Sequence, residues 1–346
     1  MSIKLAGICF CLLAPLPGLC ANWNARLAAD FLDSRQKEWQ AWPGAKISDG
    51  TCFSCHTGMT YMLARPALRR ALGEAQPTPW ETELLAGLRT RVGKTTGEEL
   101  APRFAKEPRA SQAVGVESIF AALFLQTEPA LDRMWSLRDR SGKPSTPWAW
   151  FSTNLDPWEM PNSAFFGAAL AALATGAAPG DYRNRPEIRD NVAALAEYLG
   201  REEAAQPLHH RLALLWASAR LPEVLEGPQR QRIIDAAWRA QAPDGGWSLE
   251  ARGAWKQRPD APPAAGSDSY ATGFAAFALQ KAGAARKDAR LTRALEWLKA
   301  RQDRQSGAWA ADSMNKVYEP GSIQVRFMQD AATAFAALAL VEAGGE

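Results

Sequence analysis

Two kinds of apolar stretch alternate along this chain. The first mixes charged residues with hydrophobic ones at three- and four-residue spacing, at about 23–41, 78–93, 129–138, 186–199, 228–241 and 289–302. That spacing gathers the apolar side chains on one stripe and predicts six amphipathic helices. The second kind lies at about 59–73, 112–126, 162–175, 208–220, 269–282 and 330–343, and several of these stretches are rich in Ala and Gly and nearly free of charge. A helix that is apolar all round is a buried helix. No stretch of useful length alternates as a strand would. The expectation is an all-α fold of six helical hairpins, with outer helices facing solvent and inner helices packed closely through small residues.

Local repeats sharpen this picture. Trp238-Arg239-Ala240-Gln241 leads into Asp244-Gly245-Gly246-Trp247, and the helix from Trp297 to Gln302 leads into Ser306-Gly307-Ala308-Trp309. Near the front, Phe31 to Gln36 leads to Trp39 and Trp42. A small-residue helix follows each: Tyr270 to Leu279 is copied by Ala331 to Leu340 and more loosely by Asn162 to Thr175. These Gln-to-Trp turns and the helix alternation resemble the terpenoid cyclase and protein prenyltransferase family, of which squalene-hopene cyclase is a member. The similarity is clearest over about 228–346. It implies an α6/α6 toroid, one domain over 22–346. It also implies that Gln241, Trp247, Gln302 and Trp309 brace helix ends and do no chemistry. The proline-rich stretches 141–161 and 256–266 then read as insertions over the rim.

Composition changes the picture little. Of 346 residues, 47% are hydrophobic, enough for a sizeable core, and the net charge of +3 gives no reason to expect nucleic acid or an anionic membrane as partner. The N-terminus changes it more. Lys4, an apolar run from Leu5 to about Ala14, then Pro15, Pro17 and small residues up to Ala21 read as a signal peptide over 1–21. The run is too short to span a bilayer. A lipid-attachment site at Cys20 is the other reading. The expectation is an exported protein, periplasmic or extracellular, without stable membrane insertion.

Removing that segment takes Cys9, Cys11 and Cys20 with it. The two cysteines left are Cys52 and Cys55, in Cys52-Phe53-Ser54-Cys55-His56. Two thiols three positions apart can reach the two vinyl groups of a haem, and the histidine that follows meets the iron. The expected cofactor is covalent haem c, held by Cys52, Cys55 and His56. A C-x-x-C disulfide and a zinc site are the alternatives. The first usually sits in a βαβ setting and the second needs further ligands.

His56, His209 and His210 are the only histidines. The latter two open the fourth inner-type segment, and His56 lies just before the first. In a toroid all inner helices start at one rim, and these two are three hairpins apart. His209 is therefore the expected sixth ligand, with His210 as alternate. Met160, Met328, Met59 and Met62 compete, the last two too close in sequence to His56 to cross the porphyrin easily, and the position can also be empty. Trp148, Trp150, Phe151 and Trp158, with Phe165 and Phe166, either wall a haem or apolar ligand or simply pack a loop over the barrel mouth. Asp268 and Asp330 read first as helix N-caps.

The resemblance does not carry an activity with it. The cyclases protonate an alkene with an Asp-x-Asp-Asp motif, which this sequence lacks. The prenyltransferases hold zinc with Asp, Cys and His, and here both cysteines are claimed by the haem motif. Electron transfer or redox chemistry at haem is the expected function, with a redox partner the sequence does not name. The rival is a toroid enzyme or binding protein for a small apolar, terpenoid-like ligand, with haem auxiliary.

Overall fold

A computed structural model of the chain describes residues 23–139, 147–250, 253 and 266–344. The signal-peptide reading of 1–21, with Cys9, Cys11 and Cys20, lies outside these residues, as do parts of both proline-rich insertions. Among the described residues the fold is mostly helical, with thirteen α-helices and one hairpin of two-residue strands. In chain order they are α1 (Ala25–Ala41), β1 (Lys46–Ile47), β2 (Gly50–Thr51), α2 (Met59–Ala71), α3 (Pro79–Arg91), α4 (Gly97–Leu100), α5 (Arg109–Leu125), α6 (Glu128–Ser136) and α7 (Ala164–Gly176). Then come α8 (Pro186–Glu202), α9 (Leu208–Ser218), α10 (Gly227–Arg239), α11 (Ser269–Lys281), α12 (Ala289–Arg301) and α13 (Ile323–Gly344).

The alternation in the sequence is an alternation of burial. Helices α7 and α11 bury nearly every side chain, whereas α8, α10 and α12 bury one stripe each. The buried helices pack in series: α5 on α7, α7 on α9, α9 on α11, α11 on α13 and α13 on α2. Small residues permit the close approach. A Cβ placed on Gly273 of α11 would lie 2.5 Å from the Ala336 backbone nitrogen of α13. Glutamines at the ends of two of these helices tie them to the next: Gln126 donates to the Ala174 carbonyl (3.2 Å) and Gln280 to the Ala339 carbonyl (3.1 Å).

The Gln–Trp turns are braces. The Trp247 and Trp309 indoles donate to the carbonyls of Ala237 and Leu298 in the preceding helices, at 2.7 and 2.8 Å. Their backbone N–H groups donate to Thr272 of α11 and Thr333 of α13. Gln302 caps across the chain, donating to the carbonyls of Asn24 and Gly307 and accepting from the Asn24 N–H. Gln241 does the same for Gly245 and Arg290. These bonds tie the helix ends to the turns beside them.

Two expectations need correcting. The front copy of the turn does not exist, because α1 runs unbroken through Trp39 to Ala41, and Trp39 donates instead to the Cys52 carbonyl at 2.7 Å. Helix α13 starts at Ile323, well before the expected 330, so Asp330 is no N-cap. It lies buried in the third turn, where Arg35 binds it at 2.7 Å and the Thr57 hydroxyl donates to it at 2.6 Å. The first turns of α13 alternate polar and apolar residues, which hid the helix from a search for uniformly apolar stretches. Asp268 is an N-cap, accepting from the Ala271 N–H at 2.7 Å.

Candidate functional site

Cys52-Phe53-Ser54-Cys55-His56 sits where the β1–β2 hairpin passes into α2. Residues Ser54–Gly58 form one turn of π-helix, and Met59 N–H closes it on the Ser54 carbonyl. Ser54 stands at φ 64°, and its hydroxyl accepts from the backbone N–H groups of His56 and Thr57 at 3.2 Å. Below the turn, Thr57 is fastened to Asp330, and Asp330 to Arg35. Burial lifts the Asp330 carboxyl above its usual range, against the pull of Arg35. The turn is thus clamped between α1 and α13.

Cys52 and Cys55 are both free thiols. Burial pushes both up, and Cys55 further, with the Glu159 carboxylate adding to the effect. They are therefore protonated thiols at neutral pH rather than reactive thiolates. Both line a cavity of about 170 Å³ together with His56. Its walls include Phe104, Phe120, Phe151 and Phe327 and the carboxylates of Glu117 and Glu159. Arg91 neutralises Glu117 at 2.5 Å. A second cavity, of about 400 Å³, is lined by Trp158, Tyr270, Tyr318, Phe327 and Met328, and again by His56. His56, Glu159 and Phe327 line both cavities.

The His56 ring is part-exposed and held on three sides. Phe327 stacks on it at 5.4 Å between centroids and Trp158 lies at 5.1 Å. Its Nε2 faces Glu159 Oε1 at 3.2 Å. Glu159 also accepts from the Thr153 hydroxyl. Burial pushes the Glu159 carboxyl up, but its hydrogen bonds with His56 and Thr153 and the positive groups near it together hold it below the usual range. An anionic carboxylate only accepts, so His56 Nε2–H is the donor. Glu159 lies 103 residues from His56 in sequence, inside an aromatic, proline-rich stretch. No spacing or motif connects the two, and sequence reasoning missed it, as it missed Phe327.

The structure does not bring His209 or His210 to either cavity. Both are fully buried in α9. The Trp158 indole donates to the Tyr270 hydroxyl at 2.9 Å, and that hydroxyl lies 2.6 Å from His209 Nε2. Trp158 can only donate, so Tyr270 accepts from it while also pairing with His209. The four rings of His56, Trp158, Tyr270 and His209 follow one another at contact distance. His56 and His209 therefore share one end of the helix array, but Trp158 and Tyr270 stand between them. His210 Nε2–H donates to the Pro157 carbonyl at 3.0 Å. Met59 and Met62 are core residues, Met160 lines neither cavity, and Met328 lines the larger one. Trp148 and Trp150 are tied down as packing residues, donating to the carbonyls of Met134 and Trp158, while Trp158 is cavity wall.

Among the described residues no group of three or more His, Cys, Asp or Glu side chains gathers in the geometry of an ion site. A haem asks the chain for one axial side chain at least, and its own ring supplies four donors. No helix among them is long and apolar enough to cross a membrane. No protein-family model matches this chain, and no curated protein matches it.

Proposed function

We propose that this chain is an exported c-type haem protein, in which Cys52 and Cys55 carry the haem as thioethers and His56 holds its iron. The observation that carries the reading is the donor set: two free thiols and an imidazole, supplied by one five-residue segment, line a single aromatic-walled cavity. The walls are aromatic and apolar, and the clamp from Arg35 through Asp330 to Thr57 fixes the turn that bears Cys55 and His56. Haem, when bound, supplies one-electron chemistry. The chain's residues attach it, orient it and keep water from its faces.

The same reading makes the fold an α6/α6 toroid of the terpenoid cyclase and prenyltransferase kind. The serial packing of α5, α7, α9, α11, α13 and α2 supports it, as do the braces at Trp247 and Trp309. On that fold the work is electron transfer, or redox chemistry at haem, outside the cytoplasm.

The experiment is expression with haem-attachment machinery. The wild-type chain, denatured and stripped of loose haem, keeps a haem absorption band, and the Cys52→Ala/Cys55→Ala double variant does not. A wild-type chain without covalent haem, or a double variant that keeps it, overturns the reading.

The larger cavity favours one second reading, a binding protein or enzyme for a small apolar, terpenoid-like ligand with haem auxiliary. Its volume falls within the range of small-molecule sites. Saturable binding of an isoprenoid alcohol, seen in tryptophan fluorescence, supports that reading, and its absence leaves electron transfer alone.

A further inference from the structure

Resting on the haem reading above, we propose that Glu159 is the residue that meets the iron on the side opposite His56. The expectation from sequence was His209. The structure gives a nearer candidate and a directional reason for it.

His56 Nε2 hydrogen-bonds Glu159 Oε1 at 3.2 Å, and the N–H that makes such a bond lies in the imidazole plane. A metal bound through Nε2 uses the same in-plane lobe. Whatever stands at the end of that lobe is where an axial ligand would point, and what stands there is a carboxylate. Taking zinc bonds as a guide, metal–nitrogen and metal–oxygen distances of about 2 Å each put roughly 4 Å between the two atoms across an ion. The pair stands at 3.2 Å, so accommodating the ion asks for a parting of about 1 Å. His209, in contrast, must give up Tyr270 and pass Trp158 to reach the same point.

Glu159 is also built to stay in place. Its backbone N–H donates to the Leu155 carbonyl at 2.8 Å, and its carbonyl accepts from Thr153 N–H at 2.8 Å. The Thr153 hydroxyl holds the second carboxylate oxygen. The loop therefore presents one oxygen and fastens the other. The placement of the cavities agrees. His56 and Glu159 line both, with the thiols on the flank of the smaller. A haem held there would have Cys52 and Cys55 in the lining of the smaller cavity and the larger cavity's volume beside it.

A carboxylate is a weaker-field ligand than imidazole, so the ferric protein should be high-spin and its sixth position open to exchange. The test uses holoprotein carrying covalent haem, read by visible absorption and electron paramagnetic resonance. Wild type is expected to be high-spin. Glu159→His should convert it to a low-spin bis-imidazole spectrum. Glu159→Ala should bind added imidazole at least tenfold more tightly than wild type. Glu159→Gln, which keeps the shape of the side chain, serves where the Ala variant folds poorly, and should shift the same way by a smaller factor. His209→Ala should leave spectrum and imidazole affinity unchanged. A low-spin wild type whose spectrum survives Glu159→Ala and is lost in His209→Ala overturns the assignment in favour of His209. A sulfur-to-iron band in the near-infrared overturns it in favour of a methionine. A wild-type chain with no covalent haem instead overturns the reading on which the assignment rests, and the two failures are told apart by the denatured-protein haem assay.

Discussion

Full burial leaves His210 no room for a charge. Its side chain is inaccessible in α9, the His209 and Phe166 rings lie against it, and burial drives its pKa down to about 4 despite the bond to the Pro157 carbonyl. Above the ordinary histidine value of about 6.5 the folded and unfolded chains both carry the neutral ring. Between there and about 4 the unfolded chain takes up the proton first, so stability falls as pH falls. The loss integrates to about 3 kcal/mol at most. Urea unfolding from pH 7.5 down to pH 4 should show this decline, and His210→Gln should flatten part of it. An unchanged slope in the variant would put the acid sensitivity elsewhere. The cysteines and His56 of the site were legible as residues because their chemistry depends on close spacing in sequence. Glu159 was not, because its partner lies 103 positions away and nothing local marks it.

At the scale of elements, the turn that carries the cysteines has almost no slack. A Cβ on Gly58 would fall 1.7 Å from the Phe53 carbonyl oxygen, a backbone atom that can move only if the turn moves. Gly58→Ala should therefore shift Cys55 and His56 and cost about 1–3 kcal/mol as overpacking does, and under the proposed haem attachment it should lower the yield of covalent haem. Denaturant midpoint and haem content of the purified variant measure both, and a variant equal to wild type in each would mean the turn is looser than this contact requires. Helix positions were readable along most of the chain because amphipathic and all-apolar periods contrast sharply. Eleven of the twelve expected helices fall close to their bounds, and the short α4 was not expected. The start of α13 was missed because its first turns, with Gln324 and Arg326 beside Phe327 and Met328, mix polar and apolar residues along the rim.

The molecule as a whole ties its two ends together. Asn24 exchanges two hydrogen bonds with Gln302, Arg35 binds Asp330, and α2 packs on α13. The segment bearing the cysteines is thus built into the C-terminal helices. The chain should unfold in one transition seen alike by helix circular dichroism and by tryptophan fluorescence. Limited proteolysis should release no stable fragment ending before α3. A protease-resistant N-terminal piece of that kind, folded and carrying haem, would show an independent haem domain.

The sequence by itself determined the class of the elements, their order and the Cys-x-x-Cys-His spacing of residues 52 to 56. Each of these rests on periodicity or short spacing, which the chain carries locally. Only the tertiary structure decided what stands around that turn. It set Trp158 and Tyr270 between His56 and His209, fastened Asp330 beneath Thr57, and put Glu159 at the imidazole nitrogen. Those contacts are made by side chains 61 to 273 residues apart. Their neighbours are chosen by how helices pack and loops return, and no local pattern records that choice.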